Sequence, residues 1–275
     1  MRLRTKKGMV QALRYVIVIV GLLFFFFPIA WISLTAFKTG DEFMKSPPVW
    51  FPRTPTLASF KFVIEAGGLK ALQNSFIIAG GATILALLLG SMAAYGLARY
   101  KIGGDDLPFF FLSQRFMPPV AVIFPFLLIL KTLNWMDSYQ ALIILYLTFN
   151  LPYVIWMMRG FFIEIPIEME EAAMVDGCSP LQAFWHIALP LAAPGLIATG
   201  VFCFIFSWIE FFFAVTTTRR TAIPMSVFLT SFFGPQQTQW GAVGASSFIA
   251  MVPMLILSLF VQRYLVRGLT MGAVK

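Results

Sequence analysis

Few side chains in this sequence are equipped for chemistry, and they lie in two places. Arg115, within SQRFMPPV, and Glu210, within SWIEFFFAV, are ionisable groups set inside long apolar runs. An ionisable side chain near mid-bilayer costs about 2.5–3.5 kcal/mol on insertion scales, so those retained face a protein interior or a water-filled path as a rule. Tyr146, Thr148, Asn150 and Trp208 add hydroxyl, amide and ring faces of the kind that bind a polyhydroxylated solute. A plainer reading stands beside each: Arg115 snorkels toward an interface, Glu210 is an interfacial carboxylate, Asn150 repairs the backbone at Pro152, and the aromatic residues fill a core. The second place is the polar island from Arg159 to Pro190, where Glu168, Glu170, Glu171 and Asp176 cluster within 9 positions. This is the chemistry of binding. The single His186 has apolar neighbours, Cys178 and Cys203 lack metal-ligand spacing, and no nucleophile motif accompanies them, so neither a metal centre nor a triad can be built.

The island must be built as two short helices. Pro166 suits a first helical position, the three glutamates fall in the early turns where carboxylates favour the helix dipole, and Gly177 supplies the left-handed residue that ends the run. Ser179 then caps a second helix, with Pro180 first and Gln182 completing a capping box, and Pro190 is expected to stop it after Leu189. An acidic helix-turn-helix between apolar runs suits a grip on another protein, although a solvated or interfacial face has the same composition.

Everything around the island reads as membrane. Of 275 residues, 59% are hydrophobic and 12% charged, about half the charged share of a soluble domain. The net charge of +8 is scattered at the ends of apolar runs and forms no basic stripe, which argues against a nucleic-acid partner. A bilayer core of about 30 Å takes about 20 apolar residues per helix. Six runs qualify, near 15–37, 71–98, 107–130, 138–158, 191–215 and 242–262. The expected fold is all-α and polytopic, with one membrane core over 71–262 and an extended Pro-rich segment from Phe43 to Phe60 within a loop at 38–70. The basic residues ahead of the first run, Arg2 to Arg14, are read as a topology signal and not as a signal peptide, since the apolar segment is long and lacks a small-residue cleavage pattern. The positive-inside rule then places residues 1–14, the island at 159–190 and the tail at 263–275 in the cytoplasm, and 38–70, 131–137 and 216–241 outside.

The island resembles the EAA loop of bacterial ABC-importer permeases: Glu171, Ala172 and Ala173, three residues, Gly177, nine residues, Ile187, one residue, then Leu189 and Pro190. SQRFMPPVAVIFPFLL, NLPYVIWMMRGFF, SWIEFFFAV and QRYLVRGLTMGAVK are similar to the carbohydrate-importer branch, which includes the maltose-type permeases, and the likeness runs from about Ala71 onward. The resemblance implies a type I importer fold in the inner membrane. It further implies a coupling loop (Glu170, Glu171, Ala172, Ala173, Asp176, Gly177, Leu189, Pro190) docking on one of two ATP-binding subunits that hold ATP and Mg, a second related permease, an extracytoplasmic solute-binding protein, a carbohydrate substrate, and no cofactor or enzymatic activity on this chain. In this branch the tail Gly268–Lys275 also reaches toward the ATPase. The usual Trp-Asn-Glu of the fifth span is Trp208-Ile209-Glu210 here, which weakens a ligand role at that position. The alternative is an ion-coupled transporter with Glu210 as the ion site and Arg115 as its counter-charge.

Overall fold

The computed structural model describes residues 2–100, 102–104, 106–234 and 238–270, without the side chains of 2–10, 12 and 263–270. The described chain is helical, and its only β feature is a single antiparallel bridge between Phe233 and Thr238. In order come α1 (Arg2–Thr35), α2 (Ala58–Glu65), α3 (Gly68–Tyr100), α4 (Asp106–Ser113), α5 (Pro119–Thr132), α6 (Tyr139–Glu164), α7 (Glu168–Val175), α8 (Pro180–Ala183), α9 (Leu189–Leu191), α10 (Ala193–Ile209), α11 (Phe212–Thr217), α12 (Met225–Phe228) and α13 (Trp240–Thr270). Four are long and apolar enough to cross a membrane alone: α1, α3, α6 and α13.

The chain divides into two units, residues 1–68 with 229–251, and 69–228 with 252–275, and α13 contributes to both. In the first unit, α1 exposes an apolar surface along its length, Phe24 and Phe25 each 73% exposed. The chain beyond α1 is organised by Glu42. Its carboxylate accepts the backbone N–H of Thr39 (3.2 Å) and of Arg53 (2.9 Å), closing the expected loop on itself. These bonds, Arg53 first, hold the Glu42 carboxyl below its ordinary range against the opposing effect of desolvation. The rings of Phe37, Phe60 and Phe248 meet at 5.0–6.0 Å. At Gly244 α13 runs so close to the end of α1 that a Cβ would lie 2.8 Å from the Ala36 nitrogen.

The second unit is built on α3, α6 and α10. Lipid offers no hydrophobic advantage over a neighbouring helix, so association rests on close packing of small residues and on interhelical hydrogen bonds. Gly90 on α3 lies against Val154 of α6, and Gly195 on α10 lies against Phe161; a Cβ at either would come within 2.6 Å of that side chain. Ile78, Leu142, Leu145 and Phe213 fill one end of the core, and Ala86, Val154, Met158, Phe162 and Phe184 the other.

Two of the expected spans are broken. The third is two helical pieces, Asp106–Phe116 and Pro119–Thr132, meeting at 88°. At 1.5 Å per residue neither piece reaches the roughly 30 Å of a bilayer core. The cause is local: Met117 and Pro118 each precede a proline and take extended backbone (ψ 125° and 130°), as residues before proline do. The fifth run, expected over 191–215, ends as helix at Ile209 and restarts at Phe212. By contrast α6, expected to be interrupted at Pro152, is continuous to Glu164, because packing on both sides of the proline holds it.

Candidate functional site

The polar island is a self-capped pair of helices. α7 ends in a Schellman turn: Cys178 N–H bonds the Ala173 carbonyl (3.0 Å), Gly177 N–H bonds that of Met174 (3.1 Å), and Gly177 sits at φ +97°. The second helix begins at once. Ser179 Oγ accepts the Gln182 N–H (3.3 Å) and Gln182 Oε1 accepts the Ser179 N–H (2.7 Å), the reciprocal box expected from sequence. α8 passes through a π-helical turn, Phe184–Ala188, into α9, which contains Pro190. Pro190 therefore does not stop the helix at Leu189. The π turn has already shifted the register, with Leu189 N–H bonding Phe184 C=O, and the missing proline N–H is absorbed there. The true break is at Ala192, where the chain turns through 78° into α10.

The eight loop residues separate into two sets. Glu171, Ala172, Asp176, Gly177 and Pro190 are exposed and Leu189 is half-buried, whereas Glu170 and Ala173 point inward. Glu170, 2% exposed, accepts the Tyr95 hydroxyl (2.6 Å) and both Nε (2.9 Å) and Nη2 of Arg99, and Arg99 Nη2 also bonds the Ile165 carbonyl (3.1 Å). The corner where α6 hands over to α7 is thus clamped to the end of α3. Tyr95 and Arg99, i and i+4 on α3, are residues the sequence reading missed; their spacing is visible there, but their partner lies 71–75 positions away. Outside, Val175 (88%), Leu181 (58%) and Trp185 (40%) present apolar surface beside the acidic groups. These exposed apolar side chains stand beside Glu171 and Asp176 on the same loop.

Two of the intramembrane candidates, Tyr146 and Asn150, lie at the seam between α6 and α10. Tyr146, Asn150 and Tyr153 are spaced i, i+4, i+7 on α6, one stripe of the helix. Asn150, fully buried, donates to Ser207 Oγ on α10 (2.8 Å) and so joins two helices, not repairing the Pro152 backbone. Arg115, at the break between α4 and α5, lays its guanidinium over the rings of Tyr153 (4.9 Å) and Phe206 (4.3 Å). It does not pair with Glu210. Glu210 is a cap: its carboxylate accepts the N–H of Phe213 (2.9 Å) and Ala214 (3.3 Å), the orphan amides opening α11, and the Tyr146 hydroxyl stands beside it. The ion-coupled alternative pictured Glu210 paired with Arg115; the carboxylate instead takes backbone amides and Arg115 lies on aromatic rings. Trp208 is buried on the other side of α10, its ring edge-on to Phe76 (4.9 Å) and stacked on Phe204 (5.6 Å), apart from the seam. Thr148 turns back to the Leu145 carbonyl (2.6 Å). Among the described residues no three of His, Cys, Asp and Glu gather as metal ligands. The side chains of the tail Gly268–Lys275 lie outside the described residues.

At the opposite end of α6 a second clasp forms. Asp137, at φ +56°, accepts four successive backbone N–H groups, Arg219 through Ala222, at 2.9–3.2 Å. Asn74 donates to the carbonyls of Thr221 (3.0 Å) and Ile223 (2.8 Å) and accepts from Tyr139. The segments 131–137 and 216–228 are therefore one structure.

A helical membrane unit, a self-capped acidic loop clamped to it and a polar seam between its helices fit a membrane transport subunit. The chain belongs to the family of binding-protein-dependent transport system inner membrane components, which it matches over residues 86–271. It is 39% identical over 252 residues to the probable ABC transporter permease protein y4oR of Sinorhizobium fredii, covering 91% of each chain. It is 35% identical over 264 residues to the diacetylchitobiose uptake system permease protein DasC of Streptomyces coelicolor, covering 94% of each. Its fold matches a chain of a bacterial ABC transporter involved in import of the acidic polysaccharide alginate, with a TM-score of 0.79 at 22% identity over 94% of this chain and 97% of that one.

Proposed function

We propose that this permease moves a sugar, polyol or glycoside across a bacterial inner membrane, receiving it from an extracytoplasmic binding protein and drawing energy from ATP and Mg on two separate subunits. A second, related permease completes the membrane channel, and this chain carries no cofactor and performs no chemistry. Both termini and the loop at 159–190 face the cytoplasm, where ATP is. The observation that carries this reading is the loop itself: two helices fixed by their own caps, clamped to α3 through Glu170 and presenting Glu171, Asp176 and apolar Val175 outward. The carbohydrate class rests on the naming of relatives such as DasC and on the aromatic and amide stripe of Tyr146, Asn150 and Tyr153. Closure of the ATP-binding subunits would push the loop and rock α3, α6 and α10 between two global states, biased one way by ATP and the other by the loaded binding protein.

Tagged chain recovered from its native membrane in mild detergent, with partners quantified by mass spectrometry, tests this. One related permease and two copies of an ATP-binding subunit are expected, lost when residues 170–177 are altered. A stable homo-oligomer with no ATP-binding protein would sink the importer reading.

A further inference from the structure

Lys38, just beyond α1, is 3% exposed, and its ammonium lies 3.9 Å from the centroid of the Trp31 ring. Among the described residues it has no hydrogen-bond acceptor and no ion pair. The nearby carboxylate, Glu42, has given one oxygen to the Thr39 amide and the other to that of Arg53. An ammonium carries three donors, and a ring face occupies one side of it. The stem is buried while the ammonium itself opens onto the space beside it, where its donors can reach a partner. Burial accordingly pushes the Lys38 ammonium below its ordinary range, with Glu42 opposing.

What Lys38 faces is open space. A cavity of about 550 Å³ is lined by Thr39, Thr56 and Ser59 together with Phe43, Phe62 and Trp240. A second, about 370 Å³, is lined by residues including Ile32, Met44 and Val243. Lys38, Phe43 and Trp240 border both, so Lys38 lines a cavity that holds hydroxyl-bearing residues and a more apolar one. The level in the membrane is marked by aromatic rings. Phe27, Trp31 and Trp50 cluster at 5.5–6.4 Å at the end of the exposed apolar surface of α1, the signature of a bilayer interface.

We propose that Lys38 anchors an anionic membrane phospholipid, its ammonium on a phosphate oxygen, the headgroup among the hydroxyls and an acyl chain in the apolar cavity. A neutral saccharide would fill the donors but leave the charge unpaired; a phosphate does both.

Native mass spectrometry of the full-length chain, purified in detergent with whatever subunits accompany it, tests the proposal by titration with phosphatidylglycerol, phosphatidylcholine and inorganic phosphate. Wild type is expected to retain one phosphatidylglycerol at least tenfold more tightly than phosphatidylcholine. Lys38→Gln should abolish that preference, and Lys38→Arg should keep it. Gly40→Leu, which adds a large side chain to a residue lining the first cavity with nothing within 4 Å of its Cβ, should abolish it with Lys38 intact and decides the matter if Lys38→Gln does not fold. Equal retention of phosphatidylglycerol by wild type, Lys38→Gln and Gly40→Leu would overturn the proposal, as would equal retention of phosphatidylcholine by wild type. Displacement of the lipid by millimolar phosphate would overturn it in favour of a small-anion site.

Discussion

Arg99 and Glu170 form a buried ion pair, 9% and 2% exposed at the side chain, that joins the last turn of α3 to the first turn of α7. Tyr95 adds a hydroxyl to the same carboxylate, so three side-chain hydrogen bonds tie the loop to α3. Breaking a buried pair by removing one partner costs about 3–5 kcal/mol, because the other charge is left unpaired. Glu170→Ala is expected to abolish uptake and render the 159–190 segment protease-sensitive, while Glu170→Gln, still able to accept from Tyr95, should retain part of both. Uptake by Glu170→Ala at the wild-type rate would show that the clamp transmits nothing.

Gly177 has nothing within 4 Å of where a Cβ would stand, so a substitution there meets no clash, only backbone strain at φ +97°. That strain is about 1–2 kcal/mol for an L residue. Gly177→Val should therefore reach the membrane at normal levels and yet lose uptake at least tenfold, since releasing the strain re-aims α7 against α8. Transport assayed alongside quantified expression checks it; normal uptake at normal expression refutes it.

The Asp137 clasp makes stability depend on pH in a definite sense. Burial raises its pKa, but the four N–H groups together outweigh that and leave it below the ordinary range. A carboxylate depressed on folding contributes stability that is present above its unfolded pKa of about 3.9 and lost as pH falls through the lower folded value. Asp137→Asn is expected to lower thermal stability by about 1–3 kcal/mol at pH 7, and the gap from wild type should close below about pH 4. A gap independent of pH between 3 and 7 would contradict the clasp.

Asn150 and Ser207 should couple in a double-mutant cycle. Interhelical hydrogen bonds in membranes average about 0.6 kcal/mol, so Asn150→Ala and Ser207→Ala together should destabilise by less than the sum of the singles by that amount. Strict additivity would indicate that the 2.8 Å contact carries no energy.

The parts legible in the sequence are those set by near neighbours. Gly177, Ser179 and Gln182 act within five positions of one another, and the turn and box they specify are the ones found. The inward aim of Glu170 was illegible because its partners arrive from α3, and the four amides on Asp137 arrive from beyond residue 218. Glu210 was read as a membrane charge when its role is local: a helix restarts two residues on and needs an acceptor. Pro190 misled for a subtler reason, since a π turn has no sequence signature that separates it from ordinary helix. The break at Met117 was there to be read in Met-Pro-Pro, but hydropathy alone runs straight through it.

That break has a consequence for how the span can bend. Around Met117 and Pro118 the α-helical ladder stops between α4 and α5, and two adjacent prolines supply no N–H to carry it across. The carbonyls beside the break find local partners instead, Gln114 from the Met117 N–H and Phe110 from the Ser113 hydroxyl, so an irregular stretch is held without orphaning these groups. The Arg115 guanidinium lies over the Tyr153 and Phe206 rings at the same point. The kink is thus a hinged corner with its own backbone bonds, and replacing both prolines would let it straighten.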